Sequence, residues 1–268
     1  MEIVYILLQI NLLIRKILAK SCCFFVFDKK LKRAVENYFL YFNFKYLHHF
    51  STIKYKILPI GSFCFPRVVC TLANIKPRKI YGEKTCPFDL AFYLDLESVC
   101  MLLENNFENF FDDVEFDHSR GCWVNKKLNI IFNHDTNPLK SNFICKYKNR
   151  IENFYNYVEN SPCLFFVYST WYEGEFLNDD FKKLYLTLQK ITKNKPFGLV
   201  ILNHSLSKVD NLPENATILD VSDFNLDDWL NKIKSKDGLL FASKLGDKMS
   251  KFIQKVLLSN AEVFKNIV

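Results

Sequence analysis

The chain has 268 residues, 49% of them hydrophobic and 24% charged, with 36 basic and 29 acidic residues giving a net charge of +7. This apolar content excludes an intrinsically disordered chain, and only 7 Gly and 8 Pro exclude a collagen-like or linker-rich one. The length allows one large domain with a sizeable core. Basic residues are scattered among acidic ones and no RNA-binding or helix-turn-helix motif occurs, so no nucleic-acid partner is predicted.

Residues 1–55 are predicted to form a helical N-terminal extension. Apolar residues recur at helical spacing from Ile3 to Leu18, without the basic start or cleavage site of a signal peptide. Arg15 interrupts the run well short of the ~18 apolar residues that a membrane span requires. We expect the extension to pack on the rest of the protein or, with its neighbouring lysines, to make a peripheral membrane contact.

Residues 56–268 alternate predicted strands with predicted helices. Apolar runs bounded by turn residues predict buried strands at 57–60, 128–132, 164–168, 198–202 and 217–221. Helical spacing predicts helices at 66–75, 94–111, 144–158, 181–191, 229–233 and 239–267. This alternation indicates a three-layer α/β domain with a mostly parallel sheet.

The nine cysteines argue against covalent or metal cross-links. They lie at positions 22, 23, 64, 70, 86, 100, 122, 145 and 163. An odd number cannot all pair within one chain, and no CxxC or zinc-type spacing occurs. We therefore expect reduced thiols that act as small apolar residues in a cytoplasmic compartment, with no metal site and no cofactor.

Two side chains with catalytic chemistry follow predicted strands, and such groups collect outside the carboxyl ends of strands in α/β sheets. Cys64 follows the strand at 57–60 and precedes a helix, whose N–H groups and dipole would lower the thiol pKa and hold an oxyanion. His134 follows the strand at 128–132 and would act as the base. Asp89, in a Pro-Phe-Asp turn, would orient the imidazole.

The same three residues also fit structural roles. Cys64 would then be a small buried residue, and His134 would bridge loop carbonyls. Asp89 would cap the helix that follows it. Residue types and spacing alone do not choose between the two interpretations.

Four short motifs, in a fixed order, resemble those of a bacterial family of unknown function whose members are labelled papain-like cysteine peptidases. The family shows a small-Gly-Ser-x-Cys strand end, a Pro-Phe-Asp-Trp turn, a His-Asp pair and a Lys-Tyr-x-x-Arg-Ile helix. The matching segments are Ile60–Cys64, Cys86–Leu90, Phe132–Asp135 and Lys146–Ile151, and Leu164–Val167 is similar to a later strand of the family. The resemblance covers roughly residues 56–225 and departs at Leu90, where the family usually has Trp.

The resemblance implies a thiol hydrolase or peptidase with Cys64 as nucleophile, His134 as base and Asp89 as orienter. Its binding site would be formed by Gly61, Ser62, Phe65 and Arg150, with backbone N–H groups near Phe65 as oxyanion donors. The substrate would be a peptide, an ester or a glycan-linked group, and a role near surface-polysaccharide assembly is implied. The family label also implies a papain-like α+β fold as the alternative.

Two further interpretations remain open. One is a non-catalytic accessory or ligand-binding α/β protein of glycan biosynthesis, in which the same motifs maintain a pocket. The other is an esterase of the SGNH type, which the Gly-Ser segment resembles, with Ser62 as nucleophile. Those esterases need a D-x-x-H pair near the C-terminus, and here no histidine follows His204.

Overall fold

The computed structural model describes residues 55–61, 64–73, 75–77, 79, 82–91, 95–171, 175–204, 207–222 and 235–260. The chain divides into two compact units, Met1–Thr52 and Ile53–Val268, and every described residue belongs to the second. The predicted helical extension, apart from Tyr55, lies outside the described residues. So do the membrane contact expected of that extension, the helix predicted at 229–233, and Ser62.

The second unit contains five helices and nine strands within its described residues. The strands are β1 (Tyr55–Gly61), β2 (Val114–Asp117), β3 (Cys122–Asn125), β4 (Ile130–Phe132), β5 (Cys163–Ser169), β6 (Phe176–Leu177), β7 (Phe197–Asn203), β8 (Ser207–Lys208) and β9 (Ala216–Asp220). The helices are α1 (Phe65–Leu72), α2 (Leu96–Glu104), α3 (Lys140–Asn160), α4 (Asn178–Ile191) and α5 (Lys236–Ser259), and a single 3-10 turn spans Pro87–Asp89.

The central sheet is parallel, with strand order β1-β5-β7-β9. The pairing keeps the last residues of the strands in register: Gly61 pairs with Ser169, Ser169 with Leu202, and Asn203 with Asp220. All seven residues of β5 and of β7 are buried, because a central parallel strand is covered on both faces. The predicted α/β class with a mostly parallel sheet is confirmed, in place of the α+β alternative.

Alternate residues of these strands point to opposite faces of the sheet and belong to two separate hydrophobic cores. Because helices cover both faces, the domain has three layers. One face, which includes Ile60, Phe166 and Ile201, packs against α2, α3 and α4. The other face, which includes Phe165 and Val200, packs against α1 and α5. No helix within the described ranges is long and apolar enough to cross a membrane.

The predicted strand at 128–132 does not belong to the parallel sheet. It is the short β4, which pairs antiparallel with β3 in a separate sheet of order β2-β3-β4. The expectation that His134 leaves the carboxyl edge of the parallel sheet is therefore wrong. The run is apolar because it packs against α3: the Phe132 ring contacts Phe143 and Tyr147, and Ile130 belongs to the same core. It does not lie between two layers of helices.

Six of the seven described cysteines are buried and act as packing residues. All seven described cysteines are free, and all but Cys145 are buried. Cys22 and Cys23 lie outside the described residues.

Candidate functional site

The carboxyl edge of the parallel sheet carries Cys64 at its outer strand. Gly61 ends β1, and α1 begins at Phe65, with Cys64 directly before it and Pro66 in its first turn. The Cys64 carbonyl accepts the Val68 N–H at 2.9 Å, so the first helical turn starts at the thiol-bearing residue. Proline in the first turn suits this start because the N–H that it lacks has no helical partner there.

Gly61 is required by the backbone where β1 ends. Its φ is +113°, a conformation that residues with a side chain rarely adopt. A Cβ at this position would lie 2.8 Å from Cδ2 of Tyr168 on the neighbouring strand. Gly61, predicted as a binding residue, therefore serves the close approach of β1 to β5 and the departure of the chain towards Cys64.

The Cys64 thiol is buried among apolar side chains. It is 9% exposed and belongs to the core on the α1 and α5 side of the sheet. Burial raises its pKa to about 11, and a backbone hydrogen bond offsets only part of that shift. The direction of this shift is opposite to the lowering that was predicted from the helix start, because burial disfavours the charged thiolate.

The structure does not bring Cys64, His134 and Asp89 together through hydrogen bonds. His134 is exposed in the loop after β4, and among the described residues no hydrogen bond joins these three side chains. Asp89 is 1% exposed, and its Oδ2 accepts the Cys86 N–H at 2.9 Å and lies 3.6 Å from Nη1 of Arg67. Asp89 therefore closes its own 3-10 turn, and the predicted triad stays a prediction without a supporting contact.

The motifs Phe132–Asp135 and Lys146–Ile151 converge on one buried carboxylate. Asp135 accepts hydrogen bonds from Tyr147 Oη at 3.0 Å, from Arg150 Nη1 at 3.1 Å and from Lys146. Burial alone would raise the pKa of Asp135, but Lys146 and Arg150 more than compensate and hold that pKa below its usual value. Arg150, predicted as a binding residue, is thus the ion-pair partner of Asp135, and its guanidinium lies 4.3 Å from the centre of the Tyr147 ring.

His204 occupies the carboxyl edge that was expected for His134. It follows Asn203, the last residue of β7, and its ring lies 5.2 Å from the Phe65 ring and 5.4 Å from the Trp171 ring, centre to centre. Both imidazole nitrogens are buried without a hydrogen-bond partner among the described residues. Burial lowers the pKa of His204 to about 4, with Asp220 opposing the shift, so the ring is neutral and offers one donor and one acceptor.

A hydrogen-bonded scaffold fixes the backbone on which His204 sits. The Thr170 hydroxyl donates to Oδ1 of Asn203 at 3.0 Å and accepts the His204 N–H at 3.1 Å. The Asn203 carbonyl accepts the Val221 N–H at 2.9 Å. The ends of β5, β7 and β9 are therefore held together around the imidazole.

Sequence reasoning overlooked His204, although a signal was present. His204 comes two residues after the predicted strand 198–202, as Cys64 comes shortly after the strand at 57–60. Phe65 was expected to contribute a backbone N–H, whereas the described contact is made by its ring.

Comparison with known proteins adds no relative. No family model matches the chain, no curated protein is similar to it, and no solved structure matches it. Among the described residues, no group of three His, Cys, Asp or Glu side chains could hold a metal ion.

Proposed function

We propose that the chain is a non-catalytic ligand-binding α/β protein whose ligand contacts His204 at the carboxyl edge of the parallel sheet. The observation that carries the proposal is the pair of buried imidazole nitrogens without a partner, beside the rings of Phe65 and Trp171. A buried polar group left unpaired costs about 1–3 kcal/mol. A ligand that supplies both missing hydrogen bonds would recover this free energy.

The chemistry of the site favours an uncharged ligand group that both donates and accepts, such as a hydroxyl or an amide. The imidazole is neutral, so one of its nitrogens donates and the other accepts. The partly exposed ring of Trp171, 5.4 Å from the imidazole, suits the apolar side of a flat or ring-shaped ligand, whereas the Phe65 ring is buried behind it. The family resemblance of the motifs supports a sugar as that ligand and a role near surface-glycan assembly.

The second candidate is the thiol hydrolase, and one observation favours it. The ring of Phe65, the residue after Cys64, contacts His204, so a thiol and an imidazole share this edge of the sheet. In this candidate the Cys64 sulfur attacks a carbonyl carbon while His204 accepts the thiol proton, and the bond to the leaving group breaks as His204 returns that proton to it. Water then hydrolyses the thioester, which releases the acid and restores the thiol. A pKa of about 11 for the Cys64 thiol and of about 4 for the His204 imidazole keeps both groups neutral at rest. Little of the reactive thiolate is then present, and for that reason we place this function second.

Titration with N-acetylglucosamine, which carries hydroxyls and an amide, tests the binding function. We expect saturable shifts of the His204 ring signals in NMR spectra of the full chain, and loss of binding in His204→Phe. His118→Phe is the matched control because His118 is an exposed histidine. Absence of saturable binding, or equal binding by both variants, would overturn a His204-centred sugar site.

Hydrolysis of p-nitrophenyl acetate separates the two functions. The binding protein should show the same rate in wild type and in Cys64→Ala, whereas the hydrolase requires loss of activity in Cys64→Ala but not in Cys145→Ala, which changes an exposed cysteine. If activity depends on Cys64, the variants His204→Phe and His134→Phe identify the base.

A further inference from the structure

A cavity lies at the opposite edge of the parallel sheet from Cys64 and His204. It encloses about 440 Å³, within the range of small-molecule sites. Its walls come from the C-terminal ends of α2, α3 and α4. Glu159 and Lys195, which line it, come shortly before the first residues of β5 and β7, and this places the cavity at the amino edge of the sheet.

The cavity has an apolar floor with one buried hydroxyl. Leu103, Val158 and Ile191 contribute aliphatic surface, and Tyr155 lies beside them. Edge-on contacts with Phe107 and Phe154 hold the Tyr155 ring. The Tyr155 hydroxyl is buried without a hydrogen-bond partner among the described residues. Burial raises its pKa to about 12, so it remains a donor at neutral pH.

Helix C-termini usually attract cations through their free carbonyls, but several of these carbonyls already accept a hydrogen bond here. Lys195 donates to the carbonyls of Val158, at 3.2 Å, and Glu159 at the end of α3. The backbone N–H of Thr192 reaches the Leu188 carbonyl at 3.0 Å at the end of α4. The N–H of Phe107 reaches the Leu102 carbonyl at 2.8 Å at the end of α2.

The groups still available at the cavity are mostly donors. The side chains of Lys190 and Lys193 make no ion pair or hydrogen bond with any described residue, and the Tyr155 hydroxyl is a third such donor. On the acceptor side, Glu104 already accepts the Thr187 hydroxyl at 2.8 Å. Neither of the two lining carboxylates, Glu104 and Glu159, has an ion-pair partner among the described residues, and with three lysines against two glutamates the lining carries a net charge of +1.

We propose that this cavity binds a small carboxylate with a short apolar body. The carboxylate oxygens accept hydrogen bonds from Tyr155, Lys190 and Lys193, while the apolar body lies on Leu103, Val158 and Ile191. The site uses neither Cys64 nor His204, so it is independent of the function at the carboxyl edge.

Hexanoate, 1-hexanol and hexylammonium test the proposal because they share one apolar chain and differ in the head group. The readout is an NMR titration of the full chain, followed at the backbone N–H signals of Leu103 and Thr192. We expect saturable binding of hexanoate that weakens as salt is added, with hexanol and hexylammonium binding at least about fivefold more weakly. Equal binding of hexanol, tighter binding of hexylammonium through Glu159, or no saturation by hexanoate would overturn it.

Variants test the named donors. Tyr155→Phe keeps the ring but removes the hydroxyl and should weaken hexanoate by about fivefold. Lys190→Gln with Lys193→Gln should weaken it further, whereas Lys182→Gln changes an exposed lysine of α4 outside the cavity and should leave it unchanged. Unchanged affinity in the double lysine variant would overturn the proposal even if Tyr155→Phe failed to fold.

Discussion

The carboxylate of Asp135 and the guanidinium of Arg150 are joined by a hydrogen bond of 3.1 Å, and both side chains are buried. Asp135 lies in the loop after β4, and Arg150 lies in the middle of α3. The pair therefore ties the small antiparallel sheet to a helix that packs on the parallel sheet. Tyr147 donates to the same carboxylate at 3.0 Å, so the loop after β4 and the helix α3 meet in one polar cluster.

Removal of the Arg150 charge should destabilise the fold. In Arg150→Met the Asp135 carboxylate remains buried with fewer partners, and breaking a buried ion pair in this way costs about 3–5 kcal/mol. Urea unfolding followed by circular dichroism measures this loss. Lys148→Met, at an exposed position of the same helix, should change the free energy of unfolding by no more than about 0.5 kcal/mol. A similar loss in both variants would contradict the role assigned to Arg150.

Asp135 should also make stability depend on pH. Its pKa is lower in the folded protein than in the unfolded chain, because Lys146 and Arg150 overcome the effect of burial. Its stabilisation is therefore complete above the unfolded pKa of about 3.9 and is lost as the pH falls through the folded pKa. The difference in unfolding free energy between wild type and Asp135→Asn should be constant near neutral pH and shrink below about pH 4. A difference that stays constant down to acid unfolding would disprove this linkage.

Much of the central sheet could be predicted because its strands are buried on both faces. Continuous apolar runs such as 164–168 and 198–202 can bury every residue only in a sheet covered on both sides. The small antiparallel sheet left no comparable signal. Val114–Asp117 and Cys122–Asn125 are four residues each and partly polar, so the predicted strand 128–132 was assigned to the wrong sheet.

The helix predicted at 94–111 ends at Glu104 for a reason that residue spacing does not carry. Asn106 and Phe107 take φ values of +51° and +59°, and the Phe107 N–H turns back to the Leu102 carbonyl. Apolar residues continue at helical spacing beyond that point because Phe107 and Phe110 enter the core from a loop. Residue spacing does not carry the partners of the exposed His134 and the buried Asp135 either, because tertiary packing decides them.

Gly61 should be the least replaceable of the described glycines with positive φ. Gly61→Ala adds backbone strain of about 1–3 kcal/mol and a clash with Tyr168, for which overpacking costs about 1–3 kcal/mol. Gly82→Ala is the matched control: its φ is +82°, but a Cβ there meets no atom within 4 Å. Thermal and urea unfolding should show a larger loss for Gly61→Ala. Equal losses would mean that the contact with Tyr168 relaxes without cost.

Lys76 should be essential to the loop after α1. Its side chain is completely buried and donates to the Ile57 carbonyl and to Oε1 of Glu83, both at 2.6 Å. Among the described residues, Lys76→Met leaves the buried Glu83 carboxylate with Lys56 as its one remaining cation, at 3.1 Å, and should cost about 3–5 kcal/mol. The double variant Lys76→Met, Glu83→Gln removes the stranded charge and should recover part of that loss in urea unfolding. No recovery in the double variant would show that the cost lies in packing rather than in charge.

Cys64 should be a slow thiol at neutral pH and Cys145 a fast one. The thiolate is the reactive form, and a pKa of about 11 leaves the Cys64 thiolate scarce at pH 7. Cys145 is exposed on α3, so iodoacetamide should label it before Cys64. The rate of Cys64 labelling in the folded chain, measured by mass spectrometry, should rise roughly tenfold per pH unit towards pH 11. Labelling of Cys64 at the rate of Cys145 near pH 7 would instead indicate an activated thiol, and would favour the hydrolase over the binding protein.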